Sequence, residues 1–119
     1  SMSSDHAEVR SFLRAISLKI QQCQQPLDAS QIGIALYGLQ GMDSIHPEVQ
    51  DVVEGLCAKL SKCQDRFVGQ DFSNACFGLQ SMSSKHAPVR SLLHLLSQQL
   101  ESLPSVILNG SQLGNSFYG

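Results

Sequence analysis

A helical pattern of apolar residues occurs three times along the chain, at intervals of about 40 residues. Each copy has apolar residues at i, i+3, i+4, i+7 and i+11, which is the spacing of one face of an α-helix. The fifteen residues of the three copies are Val9, Phe12, Leu13, Ile16, Ile20, Val49, Val52, Val53, Leu56, Leu60, Val89, Leu92, Leu93, Leu96 and Leu100. The pattern predicts three equivalent helices, the A helices, near residues 6–22, 46–62 and 86–101, each with this face buried.

A second helical pattern follows each A helix after a connector of about eight residues. Its copies begin at Leu27, Phe67 and Leu108, and in each an aromatic residue comes directly before a glycine. The residues predicted to be buried are Ile32, Ala35, Leu36, Leu39, Phe72, Ala75, Cys76, Leu79, Leu113, Ser116 and Phe117. This pattern predicts three B helices, near residues 29–40, 70–80 and 111–118.

The glycines of the B pattern mark the period of the repeat. Gly38 and Gly78 are 40 residues apart, and Gly119 follows after 41 more. A glycine inside a helix costs about 1 kcal/mol relative to alanine. Its recurrence therefore predicts that a neighbouring helix approaches closely at this position.

Together the two patterns predict an all-α protein with no strand. A two-helix repeat of this length is typical of an α-solenoid, in which each repeat buries its apolar face against the next. We expect a single repeat domain of three stacked antiparallel helix pairs, the third of them truncated and the whole a fragment of a longer array. The three repeats span residues 1–40, 41–80 and 81–119.

The two ends of the predicted array lack a repeat with a polar outer face, which solenoids usually need for solubility. Apolar residues of the outer repeats are then expected to be partly uncovered, namely Phe12, Tyr37, Phe117 and Tyr118. Large exposed apolar patches usually find a partner. We therefore expect end-to-end self-association of the protein.

Residues that favour helix starts stand at the predicted boundaries of the A helices. Asp5 and Glu8 have the spacing of a capping box at the first. Pro47 and Pro88 fall in the first turns of the other two, where a missing backbone N–H is not needed. These residues agree with the helix starts that the apolar pattern predicts.

The B helices differ in their start signals. Asp28 and Gln31 predict a capping box at the first B helix. The second copy has Val68 at the position of the cap, and valine has no side-chain acceptor. We therefore expect the second B helix to begin less regularly, near Gly69.

Composition limits the classes of function. The net charge is −2 and charged residues make up 15% of the chain, so there is no excess of basic residues to drive non-specific nucleic-acid binding. No apolar run is long enough to span a membrane, and we expect no membrane partner. The four cysteines lack the spacing of a zinc site. We expect them to be reduced thiols in an intracellular, reducing location.

The B pattern resembles that of the octotricopeptide-repeat family, which is related to the pentatricopeptide repeats. The segment FVGQDFSNACFGLQSM, preceded by VVEGLCAKL, carries the resemblance, through Gln70, Asp71, Phe72, Ser73, Asn74, Ala75 and Phe77 in the order of the family's motif. The resemblance implies a helical-hairpin repeat that binds single-stranded RNA along one face, with each repeat contributing to one nucleotide. It also implies organellar RNA metabolism, in a mitochondrion or a chloroplast.

A row of polar residues along the A helices is the candidate RNA surface. Equivalent positions of the three copies hold Arg10, Gln50 and Arg90, and one turn later Arg14, Glu54 and His94; we call these residues the polar ridge. Arginine pairs with phosphate or stacks on bases, and glutamine hydrogen-bonds base edges. The candidate RNA contacts are Arg10, Arg14, Gln50, Arg90 and His94. The alternative is a solvated face, since Glu54 would repel phosphate.

Three histidines, His6, His46 and His86, recur at one position. They are either a row of base-stacking side chains or, as we favour, residues that cap the A helices or pack on the preceding turn. Because they lie on separate repeats, we do not expect them to bind a metal ion.

The sequence contains no phosphate-binding loop, no recurring carboxylate pair and no nucleophile tied to a histidine by a motif. We therefore expect a binding scaffold rather than an enzyme, and no cofactor. The first hypothesis is binding of single-stranded RNA; the alternative is a protein-interaction solenoid with no nucleic-acid role. A continuous positive stripe would favour RNA, and an apolar or acidic groove would favour a protein partner.

Overall fold

The computed structural model describes residues 6–103, and in that range the chain is all α-helical, with no strand. The five helices of this range are α1 (Ala7–Gln22), α2 (Ala29–Tyr37), α3 (Pro47–Ser61), α4 (Gly69–Leu79) and α5 (Ala87–Glu101). They confirm the first five predicted helices, although α2 ends three residues earlier than predicted because turns occupy residues 38–41. The sixth predicted helix, 111–118, lies outside the described residues.

The helices form two rows. In the first row α1 lies against α3 and α3 against α5; in the second α2 lies against α4, and α2 also contacts α3. Each helix thus has most of its backbone contacts with the equivalent helix of the neighbouring copy. The helices within the second row are parallel, because Gly33 of α2 lies beside Asp71 of α4 while Leu36 lies beside Gly78.

Burial along the first row depends on which neighbours a helix has. All five pattern residues of α3, the middle helix, are buried. In α1, Phe12 is 55% exposed, whereas its equivalents Val52 and Leu92 are 3% and 0% exposed. This position therefore faces the preceding helix of the row, and the described residues contain no helix before α1.

On the opposite side of the pattern, the exposed residue belongs to α5 and its equivalents in α1 and α3 are buried. Leu93 of α5 is 40% exposed, and its equivalents Leu13 and Val53 are 2% and 0% exposed. This position faces the following helix of the row. The prediction that every pattern residue is buried is thus wrong for Phe12, Leu93 and Leu100, because each lies on a side that no helix of the described range covers.

In the second row, too, burial depends on whether a neighbouring helix covers the position. A side-chain carbon at Gly78 would overlap the backbone of Leu36 in α2, so the predicted close approach is confirmed there. Among the described residues, a carbon at Gly38 would meet only carbonyls of its own helix at ordinary distances, 3.4 and 3.7 Å. Likewise Ala75 is buried and its equivalent Ala35 is exposed, contrary to prediction. The predicted uncovering of Phe12 and Tyr37 is confirmed; Phe117 and Tyr118 lie outside the described residues.

The A helices begin at a common position. His6, His46 and His86 are the N-cap residues of α1, α3 and α5. The first helix therefore starts one residue later than the spacing of Asp5 and Glu8 predicts. Asp5 itself lies outside the described residues. Pro47 and Pro88 lie in the first turns, as predicted.

The B helices confirm the predicted difference between their starts. At α2 the Asp28 carboxylate accepts a hydrogen bond from the Gln31 N–H at 2.8 Å, and the Gln31 side chain accepts one from the Asp28 N–H at 3.0 Å. At α4 the Asp71 carboxylate accepts from the Val68 N–H at 3.0 Å. Valine cannot return that bond, so α4 has half of a capping box.

Candidate functional site

A recurring turn precedes the A helices and is held by short side-chain contacts. Before α3, Asp43 Oδ1 accepts a hydrogen bond from the Ile45 N–H at 2.9 Å. Before α5, Ser83 Oγ accepts from the Lys85 N–H at 3.2 Å, at the equivalent place. Asp and Ser favour such turns because their side chains satisfy backbone groups two residues ahead. The recurring Met, Ser and His block of the sequence therefore encodes one turn geometry in both copies.

Ser44 joins two of these turns. Its hydroxyl is fully buried, accepts a hydrogen bond from the Ser83 N–H at 2.8 Å and is hydrogen-bonded to His86 Nδ1 at 2.7 Å. In the described range, none of the three recurring histidines makes a side-chain cap bond to its own helix. At His86 the imidazole instead links one copy of the repeat to the copy before it.

Arg10 and Arg14 of the polar ridge converge on one carboxylate. Arg10 Nε lies 3.1 Å from Glu48 Oε1, and an Arg14 guanidinium nitrogen lies 2.9 Å from Glu48 Oε2. The Glu48 side chain is buried between α1 and α3, whereas Arg14 is mostly exposed. The pKa of Glu48 lies below its ordinary value because the carboxylate accepts a hydrogen bond from its own backbone N–H and further bonds from Arg10.

Gln50 and Arg90 each hydrogen-bond the turn that precedes their own helix. Gln50 Nε2 donates to the Ser44 carbonyl at 2.7 Å, and an Arg90 guanidinium nitrogen donates to the Ser84 carbonyl at 3.1 Å. Ser44 and Ser84 are equivalent, so both side chains fasten the turn that precedes their own helix. A further bond at 3.1 Å joins Arg90 to the Lys85 carbonyl.

The residues of the polar ridge therefore have different partners within the protein. Arg10 and Arg14 meet at Glu48, Gln50 and Arg90 each hold a separate turn, and His94 is exposed on α5, one turn after Arg90. The alignment of these positions into one surface along the A helices stays a prediction. Nothing in the spacing indicated that the two arginines of α1, Gln50 and Arg90 have partners within the protein.

The ends of the A helices hold the connectors of the preceding copy. Lys59 Nζ donates to the Gln25 carbonyl at 2.8 Å and also to that of Cys23. At the equivalent position of α5, Gln99 accepts a hydrogen bond from the Phe67 N–H at 3.4 Å. This role was not predicted from the sequence. The sequence did contain a signal for it. Every A helix has a long polar side chain in its last turn, and in the first copy that residue is Lys19.

The second row presents an uncharged surface on its outer side. The residues of this surface, called the outer stripe, are Ser30, Ile34 and Tyr37 of α2 and Gln70, Asn74 and Phe77 of α4. The rings of Tyr37 and Phe77 pack edge to face, with centroids 6.0 Å apart and planes at 70°. Ile34 and Tyr37 are exposed. The Tyr37–Phe77 contact joins the residues of the two helices into one surface.

Charge is absent from the outer stripe. Gln70 Nε2 donates to Asn74 Oδ1 at 3.1 Å, which fixes the two amides along α4. Neither α2 nor α4 contains a lysine or an arginine. The sequence did not point to this surface because its residue types change between copies, except at the aromatic position before the glycine.

Neither a metal site nor a membrane span is found in residues 6–103. No group of three or more His, Cys, Asp or Glu side chains in that range is arranged to hold a metal ion. None of the helices in the same range has the length and apolar character needed to cross a bilayer. Comparisons with protein-family models, with curated proteins and with solved structures gave no match to the chain.

Proposed function

We propose that the protein is a non-catalytic α-solenoid scaffold that binds a protein partner through the outer stripe. The solenoid rests on the packing of equivalent helices along two rows and on contacts that recur in successive copies, such as those of Lys59 and Gln99. The B pattern from Leu108 predicts a third member of the second row. In such an array, each helix pair is stabilised mainly by its neighbours.

The observation that carries the protein-binding proposal is the chemistry of the outer stripe. Two aromatic rings, an exposed isoleucine and two amides lie together without a charged side chain. Centres of protein interfaces are depleted in charged residues and enriched in aromatic residues, which often dominate the binding energy. The partner that fits is a polypeptide surface with an apolar or aromatic anchor and acceptors for the amides of Gln70 and Asn74.

Single-stranded RNA is the competing partner, and it needs cations near the aromatic rings. The helices α2 and α4 offer none, and on the first row Arg10 and Arg14 already share Glu48. Arg90 donates to two backbone carbonyls. RNA binding through the polar ridge, with the organellar role that the octotricopeptide resemblance implies, therefore stays a prediction that this surface chemistry does not favour.

A selection from displayed random peptides tests the proposal. We expect enrichment of uncharged sequences with an aromatic or large aliphatic anchor. Binding of a selected peptide should weaken about tenfold or more in Tyr37→Ala, as at interface hot spots. The matched control is Phe12→Ala, which removes an exposed aromatic ring from the first row and should leave peptide binding unchanged.

The same preparation is assayed with single-stranded and duplex RNA at physiological ionic strength. We expect no retained single-stranded RNA. Retention that is lost in the double variant Arg10→Ala, Arg90→Ala would replace the protein-binding proposal with the RNA hypothesis. A peptide selection without enrichment, or equal effects of Tyr37→Ala and Phe12→Ala, would remove the outer stripe as the binding surface.

A further inference from the structure

Within residues 6–103, the first row has two open faces of complementary kind. α3 buries one of its sides against α1. The equivalent side of α1, which includes Phe12, is not covered by any helix of the described range. α1 and α3 each bury one side against the next helix of the row. The equivalent side of α5 is not covered by any helix of the described range, and Leu93 and Leu100 are exposed there. Geometrically, α5 thus presents the surface that α1 presents to α3. The open side of α1 is the surface that accepts it.

The charges at the helix starts show a matching rule from one copy to the next. Between α1 and α3, the cations Arg10 and Arg14 face Glu48. Between α3 and α5, the equivalent residues are Gln50 and Glu54 on one side and Pro88 on the other. An acid is therefore present where the preceding helix supplies cations, and absent where the preceding helix supplies Glu54.

The open faces satisfy this rule with each other. The residue of α1 equivalent to Glu48 is Glu8, which is exposed. The residues of α5 equivalent to Arg10 and Arg14 are Arg90 and His94, also exposed. Arg90 bonds both turn carbonyls through the same guanidinium nitrogen, so the rest of its guanidinium can face an acid. If α5 of one molecule lay before α1 of another, an acid would again face two basic side chains.

A polar contact of the turns matches as well. Within the chain, Ser44 is hydrogen-bonded to His86 of the following copy. The serine equivalent to Ser44 in the third copy is Ser84, and the histidine equivalent to His86 before α1 is His6. Both are exposed. The same stacking that brings Glu8 to Arg90 would bring His6 to Ser84.

We propose that a second copy of this chain docks head to tail, with its α1 on the open side of α5, and that Glu8 then takes the position that Glu48 has between Arg10 and Arg14. The occupant is a second copy because the charge, the hydroxyl–imidazole pair and the apolar positions all match in one register. The interface joins two different surfaces, so it leaves one open face on each partner. Association therefore extends to open chains as the concentration rises.

Charge reversal at the two sides gives a test by mixing. Sedimentation across a concentration series should show self-association of the wild type. Glu8→Arg brings two cationic side chains together at each junction, and Arg90→Glu brings two carboxylates together. Each variant alone should associate at least about tenfold more weakly, as expected for like charges across an interface. In an equimolar mixture, junctions between the altered sides of the two variants regain opposite charges, so association should recover toward that of the wild type.

Controls separate docking from folding and from peptide binding. Asp51→Arg makes the same change of charge on an exposed position of α3 and should leave association unchanged. Circular dichroism and cooperative unfolding report whether each variant is folded; if a reversal variant is unfolded, Glu8→Gln and Arg90→Gln replace the pair, with smaller losses expected. Phe77→Ala removes an aromatic ring of the outer stripe from the middle copy, away from both open faces, and should weaken peptide binding while leaving association intact. Failure of one proposal is therefore distinguishable from failure of the other.

Three outcomes would overturn the head-to-tail docking. One is a monomeric wild type at all concentrations. Another is a folded Glu8→Arg or Arg90→Glu variant that associates as strongly as the wild type. The third is a mixture of the two variants that associates no more than either variant alone.

Discussion

The middle copy of the repeat and the two copies beside it have the same apolar pattern and different surroundings. In α3 every pattern residue is buried, whereas α1 exposes Phe12 and α5 exposes Leu93. The two exposed residues lie on opposite sides of the pattern. The pattern therefore marks the residues that are able to be buried, and neighbouring helices decide which of them are.

The same difference applies to charge. Glu48 of the middle copy is buried and receives two arginines, whereas its equivalent Glu8 is exposed. Close backbone packing follows the rule too, since Gly78 touches the backbone of the preceding helix, whereas Gly38 meets no other helix of the described range. Equivalent positions therefore provide natural pairs for testing what coverage by a neighbour contributes to stability.

The largest expected effect compares two adjacent leucines of α5. Leu92→Ala should lower the free energy of unfolding by about 3 kcal/mol, because a fully buried leucine leaves a cavity. Leu93→Ala should lower it by about 1 kcal/mol or less, because the side chain is 40% exposed. Urea denaturation in dilute solution measures both. Similar losses for the two variants would mean that a neighbour covers Leu93 in solution.

The second comparison concerns the two glycines of the B helices. Gly78→Ala should destabilise by about 2 kcal/mol or more, because the new methyl group collides with the backbone of Leu36, which cannot rotate away. Gly38→Ala should be neutral or stabilising by about 0.5 kcal/mol, since the site has room and a helical φ of −62°. Thermal unfolding monitored by circular dichroism compares them. A destabilising Gly38→Ala would show that this face is covered.

Much of the fold could be predicted from the sequence because its signals were local. The A helices were placed to within about two residues by the apolar spacing, and the capping box of Asp28 and Gln31 was read directly. Exposure was harder. The spacing that selects Ala75 for burial also selects Ala35, and only the position of α2 before α4 in the second row explains why one is buried and the other is not.

The candidate site was less predictable because its contacts join distant parts of the chain. The sequence equivalence of Arg10, Gln50 and Arg90 did not indicate Glu48 or the turn carbonyls as their partners. One signal was available: Gln50 and Arg90 each follow an equivalent serine by six residues. The outer stripe had no such signal except the recurring aromatic residue before the glycine.

The third comparison uses the equivalent serines Ser44 and Ser84. Ser44→Ala should lower the free energy of unfolding by about 1.5 kcal/mol, because the Ser83 N–H and the His86 ring both lose a buried partner. Ser84→Ala removes an exposed hydroxyl and should change it by less than about 0.5 kcal/mol. Equal effects in denaturation at low protein concentration would contradict the assigned role of Ser44 in joining two turns.

The smallest comparison tests Glu48 through pH. Its pKa is lowered in the folded protein from an ordinary value of 4.5, so folding favours the ionised form. The stabilisation is fully present above pH 4.5 and is lost as the pH falls through the lower, folded-state pKa. The gap in unfolding free energy between the wild type and Glu48→Gln should therefore stay constant near neutral pH and narrow in acid. Denaturant titrations at a series of pH values measure this gap.

Removing the cations separates the causes of the Glu48 shift. In a background that carries Arg10→Gln and Arg14→Gln, the carboxylate keeps its own backbone N–H and loses the cationic side-chain donors. In this background, the difference in unfolding free energy between the protein with Glu48 and its Glu48→Gln variant should narrow less in acid than it does with both arginines present. Without the arginines, folding lowers the pKa of the carboxylate less. Equal narrowing of the gap in the two backgrounds would mean that the arginines do not contact this carboxylate in solution, and the charge rule that relates Glu48 to Glu8 would lose its basis.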